Sequence, residues 1–585
     1  MPKNPSDRDI DSVRHSLAHL LAAAVLEKFP KAKLGIGPTI ENGFYYDFDV
    51  QRGFTPDDFK NFEKSIKKFI KADLPFKGRK LTPAEARKIF KDEPYKLDLI
   101  KDLVKEKKQL TAYSTGSIFM DLCRGGHVKN TGEINPKAFK LTSTSGAYWR
   151  GDEKNSQLQR IYGVAFGTEK ELNEYLKQQE EIAKRDHKVI GPFLDLFTFS
   201  ELVGPGLPLW TPKGTLMRHI LDDFVWSLRR ERGYERVEIP HITKKDLYVI
   251  SGHWDKFGDE LFKIKSREGH EFAMKPMNCP HHIQILKRKQ WSYREIPQRY
   301  ANTTTCYRDE QTGELLGLSR TRAFTQDDAH VFCRQSQLKE EFLKIWDIVD
   351  TFYKACGFPK LEIHISVHDP KNFKAYLGTK EMWKKAEDTL KAIAKKRGVK
   401  PLIKPGEAAF YGPKIDFIAR DSLGREQQVA TIQLDMNLPE RFDIYCIDEK
   451  GDHERLVMIH AAIMGSIERF MSVLIEHTSG AFPVWLSPVQ VQVLPVSQKQ
   501  NAYAKKVFEA LDKAGVRTEL TPSNETLGKR IREGELQKIP YLLVVGDKEV
   551  RVNSVAVRAR GKKDIKTKKT ANFLEEIQKE IKARK

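Results

Sequence analysis

Apolar and polar positions are distributed differently in three successive stretches of this chain. From residue 1 to about 150, helical and strand patterns mix. A helix is predicted from a cap at Ser6 or Asp7 through Leu26, stopping before Pro30. A second opens at Thr55-Pro56-Asp57-Asp58, with proline in the first turn and two acids favourable to the helix dipole. Thr168 and Glu171 form a capping-box pair for a charged helix reaching about Asp186. That helix is polar on most faces and reads as a connector between domains. From about 187 to 485, aromatic and β-branched runs at 361–368, 411–418 and 427–434 predict strands. Long charged connections join them, as in an antiparallel sheet with helices around it. Over the last hundred residues, 488–496 alternates as a strand, 500–513 is helical with Gly515 in a stop position, and 541–545 is an apolar strand, which together predict a small α/β domain. The fold class is therefore α+β and multidomain.

Composition bounds the rest. At about 150 residues per domain, 585 residues suggest several domains. A chain with 40% hydrophobic and 10% aromatic residues can build packed cores, which excludes wholesale disorder and collagen-like character. The net charge of +21 points to a polyanionic partner such as nucleic acid, or to a lysine-rich solvated surface. Residues 486–585 carry 22 Lys and Arg against 12 Asp and Glu, so the excess is concentrated at the C-terminal end. Within it, 562–570 is a basic stretch that reads as a loop or a phosphate contact. Six scattered cysteines do not make a disulfide framework. The polar N-terminus has no signal core, and the longest apolar stretch, near 20–26, is too short to span a membrane. A cytoplasmic protein is expected.

The central stretch holds the chemistry. Cys279 lies in MKPMNCP, His330 in FTQDDAH and His460 in VMIH. Zinc accepts one thiolate and two imidazoles and would keep a position open for substrate. No short spacing links the three, however, so spacing leaves the metal question open. Arg308, Arg320 and Arg322 cluster around one hairpin-like segment, and Arg469 follows in a helical context. Arginines suit phosphate and carboxylate oxygens through paired hydrogen bonds, although any one of them could be a surface ion pair.

These residues carry a resemblance. Arg308-Asp309-Glu310 resembles motif 2 of class II aminoacyl-tRNA synthetases, 465–469 resembles motif 3, and 229–240 resembles motif 1. The strings MKPMNCP, FTQDDAH, AAFYGPKIDF and GSIERF are similar to those of threonyl-tRNA synthetases of bacterial type, and the similarity runs over nearly the whole chain. It implies a class II antiparallel-sheet catalytic domain over 187–485. It implies one Zn²⁺ on Cys279, His330 and His460, completed by the amino and hydroxyl groups of threonine. Asp328, Tyr411 and Gln433 then line the threonine pocket. Arg308 holds the α-phosphate and the threonine carboxylate, and Arg469 the γ-phosphate side. Glu310, Arg320, Gln326, Lys414, Gln428 and Ser466 line the ATP and adenylate site, with Mg²⁺ accompanying ATP. The implied activity is threonine--tRNA ligase, acting as a homodimer through motif 1, with L-threonine, ATP and threonine tRNA as partners and no membrane. Zinc suits this substrate: an apolar pocket separates valine from threonine poorly, but a site that requires a hydroxyl ligand rejects valine.

Serine keeps the hydroxyl and lacks only a methyl, worth about 10–200-fold, so a second sieve is needed. His15-Ser-Leu-Ala-His19 places two imidazoles on one helix face, and Asp121-Leu-Cys123-Arg-Gly-Gly-His127 adds a further pair. Bare spacing allows a zinc hydrolase site or two unrelated polar pairs. With ENGFYYDF and GAYWRGD, the segment resembles the α+β editing domain that hydrolyses serine mischarged on threonine tRNA. That domain would occupy 1–135, with its remainder and the connector over 136–186. Lys96 and His127 are then the catalytic pair, with His15, His19, Asp121 and Cys123 shaping the pocket. The family's domain works without metal while its alanyl-tRNA synthetase relative binds zinc, so a metal here stays open. Residues 486–585 resemble the α/β anticodon-binding module, in which Asn524, Lys538, Glu549 and Arg558 occupy contact positions for unstacked anticodon bases.

Some residues depart from the family. The small domain that commonly precedes the editing domain has no counterpart before His15. Ala461 replaces an arginine, His281 a glycine, Leu316 a histidine and Gly126 a proline. The alternative is a synthetase paralogue that binds RNA for regulation without charging it, which would be expected to have lost zinc ligands or motif arginines. A freestanding metal-dependent hydrolase is disfavoured by the synthetase motifs downstream.

Overall fold

The computed structural model describes residues 5–152, 154–358 and 360–584. It divides into two compact units, one ending at Glu180 and one beginning at Glu181.

The first unit contains α1 (Pro5–Lys28), β1 (Gly43–Asp49), α2 (Pro56–Lys71), β2 (Phe76–Leu81), α3 (Pro94–Lys105), β3 (Leu110–Thr115), β4 (Phe119–Leu122), β5 (Phe139–Tyr148) and β6 (Gln157–Ala165). Helix α4 (Glu169–Arg185) crosses the boundary between the units. Residues 20–26 of α1 are apolar on all sides, and Leu20, Leu21 and Val25 are buried with Leu17, as that composition requires. The second helix opens after Thr55 as the sequence predicts, and Thr55 caps it with Asp58 answering in a reciprocal capping box. Thr168 and Glu171 bond reciprocally at the start of α4, of which only Leu172 is buried. β5 and β6 complete the sheet begun by β1, while β2, β3 and β4 form a separate antiparallel sheet.

The second unit begins with α5 (His187–Phe193) and α6 (Pro212–Arg230), followed by β7 (Glu235–Arg236), α7 (Cys279–Leu286), β8 (Gln298–Tyr307), β9 (Ala323–Cys333) and α8 (Leu338–Ala355). Then come β10 (Leu361–Val367), β11 (Leu402–Pro405), β12 (Lys414–Arg420), β13 (Glu426–Asp435), β14 (Val457–Ser466) and α9 (Ile467–Thr478). The eight strands form one sheet in the order β7-β8-β9-β14-β13-β12-β10-β11. The expected antiparallel pairing holds across its centre, but both edges differ: β7 joins β8 and β11 joins β10 in parallel. The small sheet that follows comprises β15 (Val491–Pro495), β16 (Thr518–Leu520), β17 (Tyr541–Val545), β18 (Ser554–Ala559) and β19 (Ile565–Lys569), with α10 (Asn501–Lys513), α11 (Leu527–Leu536) and α12 (Thr570–Lys582). Gly515, past the end of α10, has φ +77°, the left-handed conformation of a helix stop. The basic run at 562–570 is not simply a loop, since most of it is the edge strand β19. No helix among the described residues is long and apolar enough to cross a membrane.

Strand alternation separates the two faces of the large sheet. Ala329, Val331, Ala461, Ile463, Ile432 and Leu434 turn into the core beneath α8 and α9. Gln326, Asp328, His330, His460 and Gln433 occupy the alternate positions and turn the other way. Trp346 of α8 packs edge-on against Phe417 at 5.0 Å. The buried Tyr353 hydroxyl lies 2.7 Å from the Val429 carbonyl and 2.8 Å from that of Ile463, tying α8 to β13 and β14. Tyr353→Phe keeps the ring and leaves two buried carbonyls without that donor. It is expected to lower stability by about 1–3 kcal/mol, read as a lower urea midpoint at unchanged slope; an unchanged midpoint would show that the hydroxyl is not used.

Candidate active sites

Register builds the first site. His330 pairs with His460 across β9 and β14, His460 with Gln433 across β14 and β13, and Gln433 with Lys414 across β13 and β12. Four side chains from four strands thus stand in one row. Cys279, the first residue of α7, is brought to this row, so that Cys279, His330 and His460 each offer a ligand atom within 4.8 Å of the others. All three are buried. His330 Nε2 faces His460 Nδ1 at 3.1 Å. His460 Nε2 lies 3.0 Å from the Asp435 carboxylate, and His330 Nδ1 lies 2.8 Å from His282 Nδ1. The Asp435 contact places the His460 proton on Nε2 and leaves Nδ1 bare toward the cluster. Burial pushes the Cys279 thiol well above its usual range and the His330 imidazole well below. One thiol and two imidazoles, converging and backed by second partners, fit a zinc ion.

Around this group, Asp328 accepts from Asn278 Nδ2 at 3.0 Å, and the buried Lys275 ammonium donates to Asn278 Oδ1 at 3.0 Å and Thr304 Oγ1 at 2.7 Å. Tyr411 donates to Gln433 Oε1 and stacks on His460 at 4.7 Å. Lys414 and Gln428 both reach Asp416, at 2.6 Å and 2.8 Å. Gln326 pairs in register with Ser466, which caps α9 by accepting the Arg469 N–H at 3.2 Å. Arg308 lies between the Phe257 and Phe324 rings, at 5.0 and 5.1 Å, and its Nε is buried without a hydrogen-bond partner. Arg320 pairs with the buried Glu310 at 2.8 Å. The Arg469 side chain is exposed.

The residues the sequence reading passed over are Asn278, Asp435, His282 and Asp416. Asp435 follows Gln433 by two and so shares its face, a signal available from strand alternation. Two of the departures are also placed. Ala461 turns away from His460 into the core, where its carbonyl receives Arg229 at 3.4 Å, so it does not face the row. His281 accepts or donates at Thr243 Oγ1.

The second cluster is within the first unit. His15 and His19, on one face of α1, meet Cys123 and His127 from the loop after β4, again with ligand atoms within 4.8 Å. Cys123 Sγ lies 3.4 Å from His15 Nε2 and 3.2 Å from His127 Nε2. The His127 ring stacks on Phe76 at 4.8 Å, and its Nδ1 meets Ser16 Oγ at 3.2 Å. Burial lowers His127 to about 2 and raises the Cys123 thiol to about 11, so both are uncharged at neutral pH. The loop carries φ +93° at Gly125 and +89° at Gly126. A proline, fixed near −65°, cannot take this conformation, so the loop here differs from one with proline at 126. Beside the cluster, Lys96 pairs with Asp121 at 2.6 Å, and Tyr46 bonds to both. His15, His19, Lys96, Asp121 and Cys123 line one cavity of about 720 Å³.

Among the C-terminal candidates, Asn524 and Lys538 are exposed on either side of α11. Arg558 pairs with Glu535 at 2.8 Å, and Glu549 accepts the Gly546 N–H at 3.0 Å as a helix cap.

Comparison with known proteins bears on the whole chain. Residues 262–478 match the family described as tRNA synthetase class II core domain (G, H, P, S and T). Residues 490–580 match the anticodon binding domain, and 110–162 the threonyl and alanyl tRNA synthetase second additional domain. A threonine--tRNA ligase of Porphyromonas gingivalis is 48% identical over 573 residues, 97% of this chain and 87% of its own. One from Thermosynechococcus vestitus is 46% identical over 575 residues, 97% of this chain and 94% of its own. The solved RNA binding domain of threonyl-tRNA synthetase from Cryptosporidium parvum superposes with a TM-score of 0.64 at 38% identity, covering 67% of this chain and 98% of that one.

The buried pair beside the second cluster makes a prediction. Lys96→Met and Asp121→Leu each strand a buried charge and are expected to destabilise by about 3–5 kcal/mol. The double variant should be milder than the sum, as a double-mutant cycle in thermal or urea unfolding would show. Additive singles would mean the two groups do not act as a pair.

Proposed function

The chain belongs to the threonyl-tRNA synthetases, class II threonine--tRNA ligases, and from that premise we propose how its residues divide the work. The reaction joins threonine to ATP as threonyl-adenylate, then transfers the threonyl group to the tRNA. The observation that carries the residue assignment is the single row of Gln433, His460 and His330 facing Cys279.

Cys279, His330 and His460 would hold a zinc ion, which supplies a Lewis-acid site for an amino group and a hydroxyl. Asp328, oriented by Asn278, accepts a hydrogen bond from the threonine hydroxyl, and Tyr411 and Gln433 close the pocket around it. A methyl in place of that hydroxyl would leave Asp328 unsatisfied, which is a strong basis for rejecting valine. Activation is attack of the threonine carboxylate on the α-phosphorus, with pyrophosphate leaving. It needs alignment and charge neutralisation more than a strong base. Arg308, with an unpaired buried Nε, bridges carboxylate and α-phosphate. Arg469, exposed at the start of α9, meets the γ-phosphate side. Glu310, Arg320, Gln326, Lys414, Gln428 and Ser466 frame the nucleotide, and Mg²⁺ accompanies ATP.

In the first unit, Lys96, which lines the cavity with His15, His19, Asp121 and Cys123, and His127, set behind Cys123 at 3.2 Å, act on a water to remove serine from mischarged tRNA. Asn524, Lys538, Glu549 and Arg558 contact the anticodon, supported by the basic excess over 486–585. The span 187–485 is the catalytic domain and 1–186 the editing region with its connector. The chain acts in the cytoplasm, in keeping with six unpaired cysteines, as a homodimer through 229–240, which light scattering would test.

ATP–pyrophosphate exchange tests the assignment. It should be strong with threonine, weaker with serine and nearly absent with valine, and Arg308→Ala should lower it by about 100-fold or more. Exchange with valine as good as with threonine would overturn the pocket. For the second site, His127→Ala should leave threonine exchange intact while seryl-tRNA accumulates; prompt hydrolysis of that product would remove His127 from the chemistry.

A further inference from the structure

The loop between β8 and β9, residues 308–322, carries Arg308, Glu310 and Arg320, and it must return to the sheet in one conformation for Arg320 to meet Glu310. What holds the returning limb is a residue far away in sequence. We propose that His187, the first residue of α5, is a positioning residue for the activation step. Its ring, held in one tautomer by Glu476, docks this limb and sets where Arg320 stands. The inference rests on the reading of Glu310 and Arg320 as nucleotide-site residues.

His187 is buried. Its Nδ1 lies 2.6 Å from Glu476 Oε1, and its Nε2 receives the Leu318 backbone N–H at 3.0 Å. A carboxylate only accepts and an amide N–H only donates. Both contacts together require a hydrogen on Nδ1 and a lone pair on Nε2, which is one neutral tautomer. Glu476 is itself fixed, because its second oxygen takes Arg425 at 2.5 Å and Arg425 also holds Asp421 at 2.7 Å. The grouping of Asp186, His187 and Glu476 resembles a ligand set. Here, however, both Glu476 oxygens are already engaged by donors, so it reads as a clamp.

The limb is shaped to meet this ring. Gly317 has φ +52°, and a Cβ there would come within 2.3 Å of His187 Nε2. Only glycine allows that approach. Leu318 is 1% exposed, and Ser319 Oγ meets Ser472 Oγ on α9 at 2.8 Å. Leu316, one residue before Gly317, is 53% exposed. The limb is therefore fastened at 317–319, and Arg320 follows directly, reaching Glu310 at 2.8 Å and Glu314 at 3.2 Å.

Two substitutions separate the ring's contacts. His187→Asn keeps a donor near the Nδ1 position and cannot reach Leu318. His187→Gln offers an acceptor near the Nε2 position. In threonine-dependent ATP–pyrophosphate exchange, H187N is expected to lose about 10-fold in kcat/KM for ATP, with the KM for threonine unmoved, while H187Q restores most of it. Melting temperatures establish that both are folded. If H187N does not fold, Glu476→Gln is read instead: its amide can donate to Nδ1, moving the ring hydrogen to Nε2, and the same loss in ATP use is expected. Equal losses in H187N and H187Q, an unaffected H187N, or an unaffected E476Q would overturn the proposal. Absence of exchange in the wild type would instead overturn the reading of the site itself.

Discussion

The central constraint is the register of β9, β14 and β13. Side chains alternate faces along a strand, so a slip of one residue on any of the three would send its site residue into the core and a core residue to the site. The register is pinned from the core side. The Asp327 carboxylate accepts the backbone N–H groups of Ile463 and Met464, both at 2.9 Å, and is met by Arg229 from α6. Tyr353 reaches the carbonyls of Val429 and Ile463 from α8. Between Gln326 and Asp328 the pairing with β14 shifts, a bulge that lets one strand serve both the nucleotide and the amino-acid ends of the site.

The two clusters of soft ligands differ in what surrounds them. At Cys279, His330 and His460, each imidazole has a second partner, and a carboxylate, Asp328, stands beside the group. At His15, His19, Cys123 and His127, the rings stack on one another and on Phe76, His19 Nδ1 has no hydrogen-bond partner, and the charged pair of Lys96 and Asp121 sits to one side. The first arrangement suits a bound cation that recognises a substrate. The second opens on a cavity with a buried ammonium in its wall, which suits a positioned water. On the assignment proposed above, one chain separates selection for the hydroxyl from rejection of the smaller hydroxyl amino acid.

Much of this was legible locally. The Thr55 and Thr168 caps, the central strands and the Gly515 stop depend on near neighbours, and short-range chemistry fixes them. The convergence of His15 and His19 was legible too, because helix periodicity puts positions four apart on one face. The zinc candidates were not derivable from spacing, since His330 and His460 meet only through strand register and Cys279 comes to them from a helix distant in sequence from either. Family resemblance supplied them. Asn278 and Asp416 act through another side chain and leave no trace in spacing. The edge strands β7 and β11 are two and four residues long, too short to show alternation. Strand β19 was obscured by its lysines, which are themselves a common protection for an exposed sheet edge.

The most direct test of the central claim is a zinc count per chain on the full-length protein and on two single variants, Cys279→Ser and Cys123→Ser. The account predicts about one zinc in the wild type, its loss in C279S and its retention in C123S. Retention in C279S, or loss in C123S, would place the metal in the other cluster and contradict the assignment built on the strand register.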